Sequence, residues 1–324
     1  MRNLVRWCVR RRRRLTMLVL TPILLINAVA FMQARALTHY SVGGVGTRSP
    51  QALGRWDKAK VLLTGVDFPR PENSATPDAV GLPFTTHRIA ANGVKLEAWH
   101  IPTESSRGLV LLFHGHRACK CALLTEAAAF HELGYSSLLV DFRGSGGSSE
   151  SVTTIGVLEA EDVAAAADFA RELWPDERLI LFGQSMGAAA ILRAAAQGVT
   201  ADAIVLECPF DRLLTTVEHR FEMMGVPSFP MARLLLFWGG VQNGFDALGH
   251  NPVEYAAADH CPTLLMHGAH DRHVRQSEAE AVFAALAGPK QWELFTEAGH
   301  QSYCASWPDQ WMAVVAGFLK DHLN

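Results

Sequence analysis

The chain has 324 residues, of which 49% are hydrophobic, with 29 Lys and Arg against 32 Asp and Glu. Seven arginines and no acid fall in residues 1–14, so the rest of the chain carries 22 basic and 32 acidic side chains, a net charge of −10. This distribution leaves no basic face for nucleic acid, and we expect no nucleic-acid partner. The length predicts one globular domain with an attached segment.

The attached segment, residues 1–36, has the pattern of a membrane anchor or a secretion signal. Residues 15–34 carry no charge, and 20 helical residues span about 30 Å, the thickness of the bilayer's hydrocarbon core. The positive-inside rule keeps the arginines in the cytoplasm, which predicts a single-pass helix with the following domain outside. Residues 28–30 (Ala-Val-Ala) and 34–36 (Ala-Arg-Ala) also fit signal peptidase sites, so secretion after cleavage stays open.

The next segment, residues 37–84, is interpreted as an extension that wraps the domain or spaces it from the membrane. Ser49-Pro50 predicts the start of a helix within it. Two segments of strand composition follow at 86–91 and 94–101, and an Asn-Gly pair joins them. This combination predicts a β-hairpin at the start of the main domain.

A buried strand is predicted at 108–113, directly before His114-Gly115-His116, and we expect His114 to pack under that loop. The glycine-rich stretch 141–148 follows the next predicted strand. It lacks the last glycine of a dinucleotide site and the Lys-Ser/Thr ending of a phosphate loop. We therefore expect a turn that Arg143 holds in place, and no cofactor.

Cys119 and Cys121 follow that loop, two residues apart. Side chains at this spacing in a helix do not point at each other, so a bridge between them would be strained. Both are interpreted as small apolar core residues, which is how free cysteines commonly behave.

The sequence Gly-Gln-Ser-Met-Gly at 183–187 lies between a predicted strand and an Ala-rich predicted helix. This context indicates a nucleophile elbow, in which flanking glycines make room for a sharp turn that exposes the Ser185 hydroxyl. The backbone N–H groups of Met186 and His116 are the candidate donors to an oxyanion. Alternatively, the serine only caps the helix.

Two further reactive side chains follow predicted strands later in the chain. Asp271 comes after one buried strand and His300 after the next. The carboxyl ends of parallel strands share one edge of a sheet, so both side chains can meet Ser185 there. His300 would act as the general base and Asp271 would orient it. Asp211, which follows another predicted strand, is a rival acid.

The histidines around Asp271 resemble a metal cluster at first sight: His267, His270 and His273. Side chains diverge where a strand passes into a turn, and the helical spacing of a zinc protease motif is absent. We expect no metal site.

An insert at about 210–259 is predicted to form a short helical cap. Helices are predicted at 212–224 and 231–237, the second ending before Gly239-Gly240. The apolar side chains of the insert either line an acyl pocket or pack the cap on the core, and the candidate substrate-binding residues are Met223, Phe229, Phe237 and Trp238. A cap this small leaves the serine accessible, which favours medium-chain esters, thioesters or acylated surfaces.

From about Phe84 onward the chain resembles the α/β-hydrolase family, in its branch of serine hydrolases with a His-Gly-x oxyanion loop. Five motifs occur in the family's order: His114-Gly115-His116, the 141–148 loop, the elbow, the Asp271 turn and the His300 turn. The resemblance implies an α/β fold with a doubly wound, mostly parallel sheet in residues 85–324. It also implies Ser185, Asp271 and His300 as the catalytic triad, in agreement with the strand-end argument.

We therefore expect a membrane-attached serine hydrolase that cleaves an ester or thioester of a small-molecule or acylated substrate through an acyl-enzyme intermediate. A serine peptidase or amidase is the alternative within the enzyme class, because relatives of this branch include aminopeptidases. A non-catalytic binding protein on the same fold is the alternative outside it. Such proteins usually lose a triad residue, whereas this chain has all three.

Overall fold

The computed structural model describes residues 2–41, 43, 46–47 and 54–323. The strands are β1 (Thr85–Ala91), β2 (Val94–Ile101), β3 (Leu109–Phe113), β4 (Ser136–Val140), β5 (Leu179–Gln184), β6 (Ala203–Glu207), β7 (Thr263–Gly268) and β8 (Lys290–Phe295). They form one sheet in the order β1-β2-β4-β3-β5-β6-β7-β8. β2 pairs antiparallel with β1 and β4, and all other neighbours are parallel. The predicted mostly parallel sheet is confirmed.

Helices cover both faces of this sheet. The α-helices of the described residues are α1 (Arg2–Thr38), α2 (Arg55–Thr64), α3 (Leu124–Glu132), α4 (Glu159–Leu173), α5 (Met186–Ala196), α6 (Leu213–Met223), α7 (Met231–Asn243), α8 (Pro252–Tyr255), α9 (Gln276–Ala285), α10 (Tyr303–Ser306) and α11 (Pro308–Leu323). One core contains side chains of α4, α5 and α9, and a second contains side chains of α3 and α11.

The period of two along β3 shows why the sheet has two cores. Leu109, Leu111 and Phe113 pack into the first core, whereas Val110 and Leu112 pack into the second. Successive side chains of a strand point to opposite faces, and a strand covered on both faces is apolar throughout. The unbroken run Leu-Val-Leu-Leu-Phe is therefore a central strand.

The predicted hairpin is present, with Ala91 paired to Val94 across the turn. Asn92 and Gly93 both have positive φ, 41° and 84°. A two-residue hairpin of this type needs positive φ at both central positions, which Asn and Gly tolerate best.

The extension wraps the glycine-rich loop. His39 bridges to Val152, and the Tyr40 N–H donates to the Ser151 carbonyl at 2.7 Å. The Arg70 guanidinium donates to carbonyl groups of the same loop, among them that of Gly146 at 2.7 Å. The helix start predicted at Ser49-Pro50 lies outside the described residues.

The N-terminal helix is longer than the predicted span, because α1 continues to Thr38. Its part Arg10–Thr38 is long enough to cross a membrane and contains an 18-residue window with a mean hydropathy of 2.2, a composition that a signal sequence near the N-terminus shares. α1 packs against α7 of the cap. The Trp238 indole N–H donates to Asn27 Oδ1 at 3.1 Å, and the Gln242 amide donates to the Phe31 carbonyl at 2.8 Å.

The second cap helix differs from the prediction, because α7 runs through Gly239 and Gly240 to Asn243. A Cβ at Gly240 would lie 2.4 Å from the Phe245 carbonyl oxygen, and one at Gly239 would lie 3.9 Å from Thr38 Cγ2. Gly240 therefore allows the chain after the helix to approach it closely, whereas a Cβ at Gly239 would make only an ordinary contact, and neither glycine ends the helix.

The expectation that Cys119 and Cys121 do not point at each other was wrong. Their Sγ atoms lie 3.1 Å apart. Cys119 precedes the helical turn with extended backbone angles, φ −141° and ψ 171°, so the two residues do not share a helix. The change of backbone conformation between them turns the two thiols together.

Candidate active site

The turn at Ser185 has the geometry of the predicted elbow. β5 ends at Gln184, α5 begins at Met186, and Ser185 between them has φ 53° and ψ −108°. A Cβ at Gly183 would lie 2.6 Å from the Gly187 carbonyl carbon, and one at Gly187 would lie 2.3 Å from the Phe113 carbonyl oxygen. Both glycines are needed for this close packing, and the strained serine is held in place by it.

The structure brings Ser185, His300 and Asp271 together. His300 Nε2 lies 3.1 Å from Ser185 Oγ, and His300 Nδ1 lies 2.6 Å from Asp271 Oδ2. The other carboxylate oxygen of Asp271 accepts the N–H groups of His273 and Val274 at 2.7 Å and 3.0 Å. Both Asp271 oxygens are therefore bonded, and the imidazole is held between the carboxylate and the hydroxyl.

The rival acid Asp211 does not occupy this position. It lies between β6 and α6, where its backbone carbonyl accepts the Val253 N–H at 3.1 Å. The carboxylate that bonds the imidazole of His300 belongs to Asp271.

The imidazole has a second neighbour, Cys208, that sequence reasoning missed. Burial lowers the pKa of His300, but Cys208 and Asp271 outweigh burial and raise it. Burial raises the pKa of the Cys208 thiol itself. Burial likewise raises the pKa of Asp271, and the hydrogen bond and charge of His300 outweigh it and lower that pKa. Cys208 directly follows β6, which ends at the same edge of the sheet as β7 and β8. This position after a predicted strand could have identified Cys208 as a residue of the site.

Cys208, Asp271 and His300 present possible ligand atoms within 4.8 Å of one another. A metal would need the thiolate of Cys208, whereas burial favours the thiol. The Asp271 and His300 atoms already bond each other. The arrangement fits a hydrogen-bond network better than a metal centre.

The histidines near Asp271 have separate environments. The His267 ring stacks on Trp292 with centroids 6.2 Å apart, in the interior. His273 Nδ1 instead accepts a hydrogen bond from the Arg220 guanidinium of α6, at 2.5 Å. The His273 ring also lies 5.1 Å from that of His300, so Arg220 and His273 form part of the rim of the site.

The candidate oxyanion donors flank the serine. Met186 is the first residue of α5, and the first N–H groups of a helix have no acceptor within it. The loop containing His116 lies against the elbow, because a Cβ at Gly115 would be 3.8 Å from Ser185 Cβ. His114 packs below this loop, where its Nε2 accepts the Phe142 N–H at 3.1 Å. Burial lowers the pKa of His114, which keeps the ring neutral as an acceptor.

The glycine-rich loop is held as the sequence indicated. The buried Arg143 guanidinium bonds Asp162 of α4 at 2.7 Å and Glu161 at 3.3 Å. These two ion pairs anchor the loop beside the site.

Of the four predicted substrate-binding residues, three have exposed side chains and one packs against α1. Met223, Phe229 and Phe237 are 47%, 76% and 50% exposed. Trp238 faces α1, where its ring packs edge-on against Phe31 at 5.4 Å. All four residues lie in or beside the cap helices α6 and α7. The packing of α7 on α1 decides where the side chains of α7 point.

Known proteins resemble this chain in sequence and fold. The family model described as "Serine aminopeptidase, S33" matches residues 104–236. The "Uncharacterized protein Rv2307c" of Mycobacterium tuberculosis is 31% identical over 214 residues, 64% of this chain and 69% of that protein. The Pyrococcus furiosus esterase Pf2001 superposes with a TM-score of 0.67 at 24% identity, over 79% of this chain and 97% of the esterase. An esterase from Exiguobacterium antarcticum has a TM-score of 0.55 at 19% identity, over 73% of this chain and all of that one.

The sheet order, the strained serine at the end of β5 and these relatives define one class of protein. The chain belongs to the α/β-hydrolase superfamily of serine hydrolases. It is a hydrolase enzyme whose family acts on small molecules.

Proposed function

We propose that the enzyme cleaves a carboxylic ester or thioester through an acyl-enzyme intermediate. One observation carries this proposal: the hydrogen-bonded series from Ser185 Oγ to His300 at 3.1 Å and from His300 to Asp271 at 2.6 Å. A serine hydroxyl is a weak nucleophile at neutral pH and needs such an adjacent base.

The geometry supports a balanced reaction. His300 takes the Ser185 proton as Oγ attacks the carbonyl carbon, and Asp271 stabilises the resulting imidazolium. The N–H groups of Met186 and His116 receive the oxyanion. The intermediate then collapses and expels an alcohol or thiol, which takes the proton from His300. A water molecule, deprotonated by the same imidazole, then attacks the acyl-enzyme. The bond between the acyl carbon and Ser185 Oγ breaks, His300 returns the proton to Oγ, and the acid is released.

A fluorophosphonate probe tests the nucleophile. We expect the wild-type enzyme to be labelled and Ser185→Ala to be unlabelled, with esterase activity reduced at least about 10³-fold. Ser306→Ala, which changes an exposed serine of α10, is the matched control and keeps both. If the folded wild-type protein takes up no probe, a binding protein on the hydrolase fold is the better description.

The rim of the site favours an ester over a peptide with a free amino terminus. The described rim side chains beside His300 include Arg220 and His273, a cation and an imidazole. An aminopeptidase needs an acidic group there to bind the substrate amine. The similarity to esterases of the same fold points the same way. Nitrophenyl esters of increasing chain length, compared with an aminoacyl anilide, test the choice, and preference for the anilide would reverse it.

We also propose that α1 is a retained anchor with a cytoplasmic N-terminus, rather than a cleaved signal. Cleavage after Ala30 or Ala36 would remove Asn27, which accepts the Trp238 indole N–H. Cleavage at the later site would also remove Phe31, which packs on the same indole. The contacts between α1 and the cap therefore support retention of the helix.

A further inference from the structure

We propose that the cap segment 223–245 inserts into the outer leaflet of the bilayer beside α1, so that the enzyme takes its substrate, a lipid ester, from the membrane. This inference rests on the retained anchor and on the hydrolase function proposed above. It assigns a surface and a substrate class to the same site.

The contacts between α1 and α7 lie in the outer half of a bilayer that α1 spans. With Arg14 at the cytoplasmic interface, a rise of 1.5 Å per residue puts Asn27 about 20 Å into the membrane and Phe31 about 26 Å. Both lie within a hydrocarbon core about 30 Å thick. Trp238 and Gln242 of α7 bond these two residues. The cap helix therefore enters the outer half of the bilayer if α1 spans it.

The exposed side chains of the cap are apolar enough to contact the hydrocarbon core of a bilayer. Its apolar side chains are exposed to an extent unusual for a surface in water: Met223 47%, Met224 65%, Val226 45%, Phe229 76%, Phe237 50% and Val241 57%. Arg233 is the one charged residue in the 23 residues from Met223 to Phe245. A long arginine side chain can extend from such a depth to the headgroups. An apolar surface with a single cation suits lipid better than water or a charged protein partner.

The cap also connects this surface to the catalytic site. Arg220, which donates to His273 beside His300, precedes Met223 and Met224 by three and four residues on α6. Residues at this spacing lie on one face of a helix, about one turn apart. The apolar surface therefore begins one helical turn from the rim of the site, and an acyl ester in the outer leaflet reaches that rim without crossing water.

Photolabelling of the full chain in vesicles tests the insertion directly. The vesicles contain equal phosphatidylethanolamine and phosphatidylglycerol with a trace of phospholipid that carries a diazirine in its acyl chain. We expect crosslinked peptides from both 15–34 and 223–245. Crosslinks confined to 15–34 overturn the inference and leave the anchor intact. Crosslinks in neither segment overturn the anchor, and the inference with it.

Charged substitutions on the apolar surface of the cap test whether the substrate reaches the site from the bilayer. Met224→Asp and Val241→Asp place a carboxylate on the proposed membrane face, and Leu173→Asp, at a site 47% exposed on α4, is the matched control. We expect hydrolysis of a vesicle-borne lipid ester to fall about tenfold or more in the cap variants because a charge resists burial in lipid. Hydrolysis of a soluble nitrophenyl ester should stay within twofold in all three.

The inference is overturned if the cap variants lose activity equally on the vesicle-borne and the soluble ester, or if they lose no activity on the vesicle-borne ester. A wild-type enzyme that hydrolyses neither ester contradicts the proposed function instead, and the photolabelling result then stands as the separate test of insertion.

Discussion

In the proposed mechanism, the protonation state of His300 sets the pH range in which Ser185 can be activated. The imidazole must be neutral to accept the serine proton, so the reaction slows as the pH falls through the pKa of His300. Burial lowers that pKa, whereas Cys208 and Asp271 raise it and prevail. Because burial keeps Cys208 as the neutral thiol, we expect it to act on the base as a hydrogen-bond partner, with no bond-forming role of its own.

Replacing Cys208 with alanine should move the acidic limb of the pH profile. Without one of the groups that raise the pKa of His300, the base becomes neutral at lower pH, and the limb of kcat/KM shifts to lower pH. The measurement is kcat/KM for a soluble ester from acidic to alkaline pH, because the pKa of His300 is raised. Cys304→Ala, another buried cysteine, is the control because its thiol bonds the Thr125 carbonyl instead. An unmoved limb in Cys208→Ala would show that the sulfur does not act on the base.

Among the elements, a buried ion cluster joins the middle of β2, the segment after β3 and the end of β4. The Lys120 ammonium, fully buried after β3, bonds Asp141 at the end of β4 and Glu97 of β2, the latter at 2.8 Å. It also lies 4.0 Å from the centroid of the Trp99 ring. Burial raises the pKa of Asp141, but Lys120 outweighs burial and lowers it. The stabilisation from this carboxylate is therefore present above its usual pKa and is lost as the pH falls.

Removing the buried cation should destabilise the fold far more than removing an exposed one. Lys120→Met leaves the charge of Asp141 buried, so we expect the free energy of unfolding to fall by about 3–5 kcal/mol. Arg88→Met removes the other partner of Glu97, but Arg88 is 60% exposed, and the expected loss is below about 1 kcal/mol. Urea unfolding at neutral pH measures both. Similar losses in the two variants would contradict the role of burial.

For the molecule as a whole, the N-terminal helix and the catalytic domain form one packed unit. α1 meets α7, and Thr38 at its end accepts the Thr153 N–H through its carbonyl at 2.9 Å. The extension then continues over the 141–148 loop. In the proposed membrane arrangement, this packing orients the cap toward the bilayer, which a flexible linker would not do.

Topology measurements follow from this packing. The full chain with an N-terminal tag should stay in the membrane pellet after alkaline carbonate, with its tag attached. Protease added from outside should degrade the domain and spare the tag, because the basic end stays in the cytoplasm. Untagged, soluble and active protein would instead identify α1 as a cleaved signal.

Local sequence patterns predict much of the sheet and of the candidate site. Apolar runs of strand length, the Asn-Gly turn and the Gly-x-Ser-x-Gly motif each report on a few adjacent residues. Because parallel strands end at one edge, the positions of Ser185, Asp271 and His300 after three of them were enough to predict that they meet. Chain order and residue type determined this part of the protein.

Tertiary structure decided which way side chains point when the partner is distant in the chain. Asn27 and Trp238 are 211 residues apart, and no local pattern indicates that they bond. That contact turns the Trp238 indole toward α1. Cys208 meets His300 only because β6 and β8 lie on either side of β7. Local sequence determines the elements, whereas packing among them determines the neighbours of each side chain.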